Sequence, residues 1–133
     1  MADILVIDAS AYLAVLLNEP GSETLTKILE ERPLLAPSLI RYETANALLI
    51  AHRCGRIPSL DRLQFIEQYP IAHPPRKHWW PAACNLVRKT NLTFYDASYA
   101  GVAKALDSPL LTLDIKLKKA CQSQNIPLLK PTT

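Results

Sequence analysis

Ile4-Leu5-Val6-Ile7 runs without a polar break into Asp8, and an apolar helical pattern begins within two residues. A continuous apolar run that short, rich in branched side chains, suits a strand covered on both faces, and such strands belong to parallel sheets packed under helices. The carboxylate that ends the run is thereby held at a sheet edge. What that edge can do depends on which other polar side chains the fold delivers to it.

The device recurs late in the chain, where Pro109-Leu110-Leu111-Thr112-Leu113 ends on Asp114 with a helical pattern after it. Three further strand candidates are Leu34 to Ala36, the proline-flanked Pro70 to His73, and Ile126 to Leu129. Between them the pattern is helical. Ala11 to Leu17 is apolar nearly all round and stops at Asn18, Pro20 and Gly21, and Ser22 caps a helix striped by Leu25, Ile28 and Leu29. Ser38 caps the longest helix, with Leu39, Tyr42, Ala45 and Leu49 on its apolar side and Gly55 as its stop. Ser59 caps a shorter one through Leu60, Leu63 and Ile66. Another runs from about Lys77 to Lys89, with Pro81 pushing its start as late as Trp80, and Asp96 caps a small-residue helix from Ala97 to Leu106. Strands alternating with helices predict right-handed βαβ units around a parallel sheet.

At 133 residues this is one domain, and 49% hydrophobic against 20% charged residues argues against disorder. A net charge of +3 is compatible with an anionic partner without requiring one. Three widely separated cysteines, Cys54, Cys84 and Cys121, make neither a disulfide framework nor a zinc pattern, and His52, His73 and His78 have no metal spacing. Asp3 and Asp8 flank the first apolar run where a signal peptide needs a positive region, and Ala9 to Leu17 is too short to span a membrane. The expectation is a cytoplasmic protein.

In an open α/β sheet the functional crevice lies beyond the carboxyl ends of the strands. Asp8 and Asp114 reach it by construction, Asp96 by standing at a helix N-terminus, and Glu43 by its long stem from one turn inside its helix. Each also has an ordinary alternative: Asp96 as an N-cap, Asp8 and Asp114 as turn or cap residues, Glu43 as a solvated helix residue. Were all four to converge, they would repel one another and protonate unless a cation sat among them. Oxygen-only ligation favours magnesium or manganese over zinc. Ser10 and Thr112, each two residues from an acid, are supporting hydroxyls or caps.

Ile7-Asp8-Ala9-Ser10, Tyr42-Glu43-Thr44-Ala45-Asn46-Ala47-Leu48, Tyr95-Asp96-Ala97-Ser98-Tyr99 and Leu111-Thr112-Leu113-Asp114, followed by Leu117 and Ala120, resemble in order and spacing the four signature blocks of PIN-domain ribonucleases. The resemblance covers essentially the whole chain and runs closest to the VapC toxins of toxin-antitoxin pairs. It implies a three-layer α/β/α sandwich with a central parallel sheet of four to five short strands, an acidic site binding Mg2+ or Mn2+, and endonucleolytic cleavage of RNA. The family's acids fall on Asp8, Glu43, Asp96 and Asp114, with Ser10, Asn46 and Thr112 in support. A cognate antitoxin and a homodimer are the implied protein partners, the dimer using the helix of Leu60, Leu63 and Ile66 with the apolar side of the long helix. His78-Trp79-Trp80-Pro81 departs from the family pattern.

Arg76, Lys77 and Lys116, with Lys118 and Lys119, are candidate RNA phosphate contacts, while Trp79 and Trp80 either stack an unpaired base or, for Trp80 above all, fill the core. Two rivals stand beside the nuclease. A catalytically silent module of the same fold would bind RNA or protein, but it has no need of four acids. An aspartyl-nucleophile phosphatase would want a second acid where Ser10 stands.

Overall fold

The computed structural model describes residues 3–131. The first strand, β1 (Leu5–Ile7), lies at the centre of a parallel sheet, with β2 (Leu34–Leu35) on one side and β3 (Leu110–Leu111) on the other. Leu5 and Val6 pair with Leu34 and Leu35, and Val6 and Ile7 pair with Leu110 and Leu111. All three β1 residues are fully buried, as a two-sided apolar run requires.

Three strands form rather than the four to five expected. The two outer candidates each reduce to a single parallel bridge, Leu35 to Ala72 and Leu110 to Leu128. Each bridge makes its pair of backbone hydrogen bonds: Ala36 N to Ala72 O (3.1 Å) with Ala72 N to Leu34 O (2.9 Å), and Leu110 N to Pro127 O (3.0 Å) with Leu129 N to Leu110 O (2.9 Å). Prolines stop both ladders from extending. Pro70 and Pro74 flank Ala72 and Pro127 adjoins Leu128, and a proline has no N–H to donate.

Helices cover the sheet. On one side α1 (Ala9–Leu16) packs with α2 (Glu23–Glu31) and α3 (Leu39–Arg53), and α3 contacts a 3-10 helix, Leu63–Gln68. The other group joins α4 (Arg76–Lys89), α5 (Phe94–Ala105) and α6 (Ile115–Ser123), with α5 lying on β1 and β3. The small residues of α5 allow close approach. A Cβ on Gly101 would meet the backbone nitrogen of Ala83 at 3.0 Å, so only glycine fits the α4–α5 contact without displacement.

Several local expectations change. The segment from Leu60 to Ile66 is not an α-helix: 3-10 turns begin at Leu63. Neither Ser22 nor Ser38 makes a capping hydrogen bond. The buried side of α3 is Ile40, Thr44, Leu48 and Ala51, while Tyr42 is 75% exposed. Thr44 sits fully buried in that stripe, and counting it as polar hides the true face. Helix α4 starts at Arg76 despite Pro81, because Trp79 is buried and donates its indole N–H to Pro74 O (3.2 Å), fixing the first turn. Trp79 is therefore the core tryptophan. Trp80 is 46% exposed and rests on Phe94 at 4.6 Å between ring centroids.

Candidate active site

Asp8 leaves β1 with its side chain at the mouth of α1, where Oδ1 accepts the Ala11 amide (3.1 Å) and caps the helix. Two hydroxyls complete its surroundings. Ser10 Oγ donates to Oδ1 (2.7 Å) and Thr112 Oγ1, at the end of β3, donates to Oδ2. Each hydroxyl is itself oriented by accepting a backbone amide, Leu113 N on Ser10 (2.9 Å) and Asp114 N on Thr112 (3.0 Å). Adjacent parallel strands thus bring sequence positions more than a hundred residues apart into one network. Asp8 is nearly buried, and three of its roughly four lone-pair sites are engaged.

Glu43 is half-buried on α3 and accepts the phenolic proton of Tyr99 on its Oε1 (2.6 Å). That contact joins the two helical groups across the sheet edge. Tyr99 is the partner of a candidate acid to which the sequence reading gave no role. Its signal was present: a bulky hydroxyl in a run of small, core-facing residues, one turn after Asp96, must find a buried partner. Asn46 stands exposed one turn along α3 from Glu43.

Asp96 is not the cap of α5. Thr93 takes that place, its hydroxyl accepting the Asp96 amide (3.1 Å), so Asp96 lies inside the first turn with its carboxylate released from capping. Asp114 does cap its helix: Oδ1 accepts the amides of Lys116 (2.9 Å) and Leu117 (3.3 Å). Of the cation candidates, Lys116 lies close enough to Asp96 to stabilise its charge. Arg76 and Lys77 are exposed in the first turn of α4.

The acids act on one another in a chain. Burial pushes the Asp8 carboxyl above its ordinary range, and the charge of Asp114 adds to the rise against the lowering by its hydrogen bonds. Glu43 is raised by burial and then by Asp96, with the Tyr99 hydroxyl opposing. Asp96 is raised by burial and by Asp114, with Lys116 and Thr93 opposing. Behind Asp8, burial pushes the Cys121 thiol up to about 12, which makes it an inert core residue.

These shifts fix a pH dependence. Carboxyls whose folded-state pKa lies above the unfolded value favour the native state in protonated form; that stability is complete below the unfolded values near 4. It is lost as the pH rises through the raised folded values. The metal-free chain is accordingly expected to lose site stability as the pH rises above about 4, and Asp96→Asn to flatten that loss, as thermal melts at rising pH will read.

Chemically the donor set suits a hard divalent cation: carboxylate oxygens in excess, coupled by repulsion, with one lysine as the nearby counter-charge. Among the described residues, no three acidic, histidine or cysteine side chains stand together closely enough to hold an ion as positioned. The four acids share a field rather than a single contact point. Binding a cation therefore requires side-chain movement, for which Glu43 and Asp96, half-buried, have room.

A parallel sheet between helices, with coupled acids along its carboxyl edge, defines a class. The chain belongs to the PIN-domain family, whose model matches residues 5–122. Its relatives there are VapC ribonucleases: Ribonuclease VapC9 of Mycobacterium tuberculosis is 33% identical over 129 residues, spanning 91% of this chain and 94% of that one. The crystal structure of PAE2754 from Pyrobaculum aerophilum is 30% identical and superposes with a TM-score of 0.63, covering 90% of this chain and 81% of that one. Mycobacterium tuberculosis VapC20 shares the fold at 17% identity and a TM-score of 0.63, over 87% of this chain and 94% of its own.

Proposed function

We propose that this chain is a divalent-metal-dependent endoribonuclease, the toxin of a toxin-antitoxin pair, acting through Asp8, Glu43, Asp96 and Asp114. The observation that carries the reading is the electrostatic linkage of all four acids at one sheet edge, in a chain one-third identical to VapC ribonucleases over most of its length. A silent binding module would have no use for mutually repelling, partly buried acids.

Asp8, Glu43 and Asp96 would hold the ion, and Asp114, with Oδ1 committed to helix amides, would contribute through its charge and its other oxygen. A bound Mg2+ or Mn2+ supplies acidification of water and neutralisation of charge building on the phosphate. Ser10 and Thr112 hold Asp8 in one orientation, Tyr99 does the same for Glu43, and the dry wall behind Asp8 strengthens every charge interaction in front of it. Exposed apolar side chains, Tyr42 and Ile50 on α3 with Leu63 and Phe65 on the 3-10 helix, supply surface for a second copy or an antitoxin. Among the described residues no helix is long and apolar enough to cross a membrane.

The test is incubation with a panel of RNAs in Mg2+, Mn2+ or EDTA. Cleavage with either ion and none in EDTA is expected. Absence of metal-dependent cleavage on every RNA would remove the reading.

A further inference from the structure

Beside the acids, between the end of α4 and the exposed side of α6, lies a groove of about 310 Å3. Its polar lining is Lys89, Thr90, Asn91, Lys116, Lys119 and Ser123. Two elements far apart in sequence supply the three lysines. Lys89 ends α4, whereas Lys116 and Lys119 lie one turn apart on α6, immediately after Asp114. Lys116 connects the groove to the site, since it lines the groove while its backbone N–H donates to Asp114 Oδ1 (2.9 Å). The other basic candidates are elsewhere: Arg76 and Lys77 stand at the opposite end of α4, roughly 20 Å away for a helix of 14 residues.

Three lysines lining one shallow groove suit a polyanion, and the place of Lys116 beside Asp114 selects which one. An acidic protein segment would have to run from the lysines directly into a field of like charge. A phosphodiester backbone has reason to cross, because the acidic edge acts on one of its phosphates. We propose that this groove seats the RNA backbone next to the scissile phosphate, Lys89 and Lys119 each neutralising one phosphate oxygen while Asn91 and Ser123 offer hydrogen bonds. This rests on the nuclease reading above. The groove fixes the direction in which the strand leaves the acids, across the loop between α4 and α5, and selects a backbone rather than a base sequence.

The test is steady-state cleavage by the Lys89→Gln, Lys119→Gln double variant over a range of salt, with Lys27→Gln on α2 as a control and RNA labelled at either end. Both lysines are exposed, so the fold is retained, as circular dichroism will confirm. The double variant should raise KM roughly tenfold and flatten the slope of log KM against log salt by about 1.4, two single-strand phosphate contacts. Lys27→Gln should keep the wild-type slope. A wild-type KM and slope in the double variant would overturn the groove while leaving the nuclease standing. Failure of the wild type itself to cleave RNA would instead strike the underlying reading.

Discussion

Asp8→Asn is expected to lower metal-dependent RNA cleavage by on the order of 10³-fold or more while the circular dichroism spectrum stays that of the wild type. The two halves of this result have separate causes. Asparagine keeps the acceptor that caps α1 through the Ala11 amide, and Ser10 and Thr112 can rotate their hydroxyls to suit an amide. What it removes is the negative charge at the centre of the acidic edge. Because burial disfavours that charge in the first place, the metal-free variant should melt no lower than the wild type, and higher near neutral pH. A folded Asp8→Asn protein cleaving at the wild-type rate would mean that the acids are structural.

The largest stability effect should come from a residue outside the site. Arg41 donates Nη1 to Ile66 O (2.6 Å) and Tyr69 O (2.9 Å), Nη2 to Ile71 O (3.1 Å) and Nε to His73 Nε2 (3.1 Å). His73 in turn places Nδ1 2.8 Å from Ala36 O, so one guanidinium ties α3, the 3-10 helix and the end of β2 together. Arg41→Ala leaves the Tyr69 and Ile71 carbonyls without this donor, although Tyr12 still serves Ile66 O. Hydrogen bonds to a charged group contribute about 1.5–3 kcal/mol each, discounted because the group is only partly buried, so a loss of about 2–3 kcal/mol is expected. For a chain of this length that is roughly a 10 °C fall in melting temperature. Arg41→Lys should recover little of it, since an ammonium cannot span three carbonyls in fork geometry. A change below about 0.5 kcal/mol would show that water replaces the clamp without cost.

The opening strand and the acid behind it were legible because continuous apolar burial needs no tertiary information to recognise. The same holds for β3 and Asp114. What the sequence hid was set by partners distant along the chain. Asp96 reads as a cap until Thr93, three residues earlier, is seen to take that role. Thr44 joins the buried face of α3 only once that helix is packed, and Trp80 exchanges places with Trp79 because only the indole of Trp79 finds the Pro74 carbonyl. The outer strands fail through prolines that the sequence displays, but whether one bridge survives beside them depends on the neighbouring strand. Tyr99 acquires its meaning only from Glu43, 56 positions away. Ser10 and Thr112 fare better than caps: their hydroxyls hold Asp8 from both sides.

The central claim, that these four acids serve one divalent cation, is tested most directly by the melting temperature of the metal-free chain near pH 7.5 as Mn2+ is titrated in, with Asp8→Asn beside it. The wild type should show a rise that begins near the dissociation constant and then grows with the logarithm of the Mn2+ concentration, reaching about 2.7 kcal/mol of added stability at a hundred times that constant, and Asp8→Asn should show little. A wild type indifferent to Mn2+, or a variant that responds equally, would contradict it.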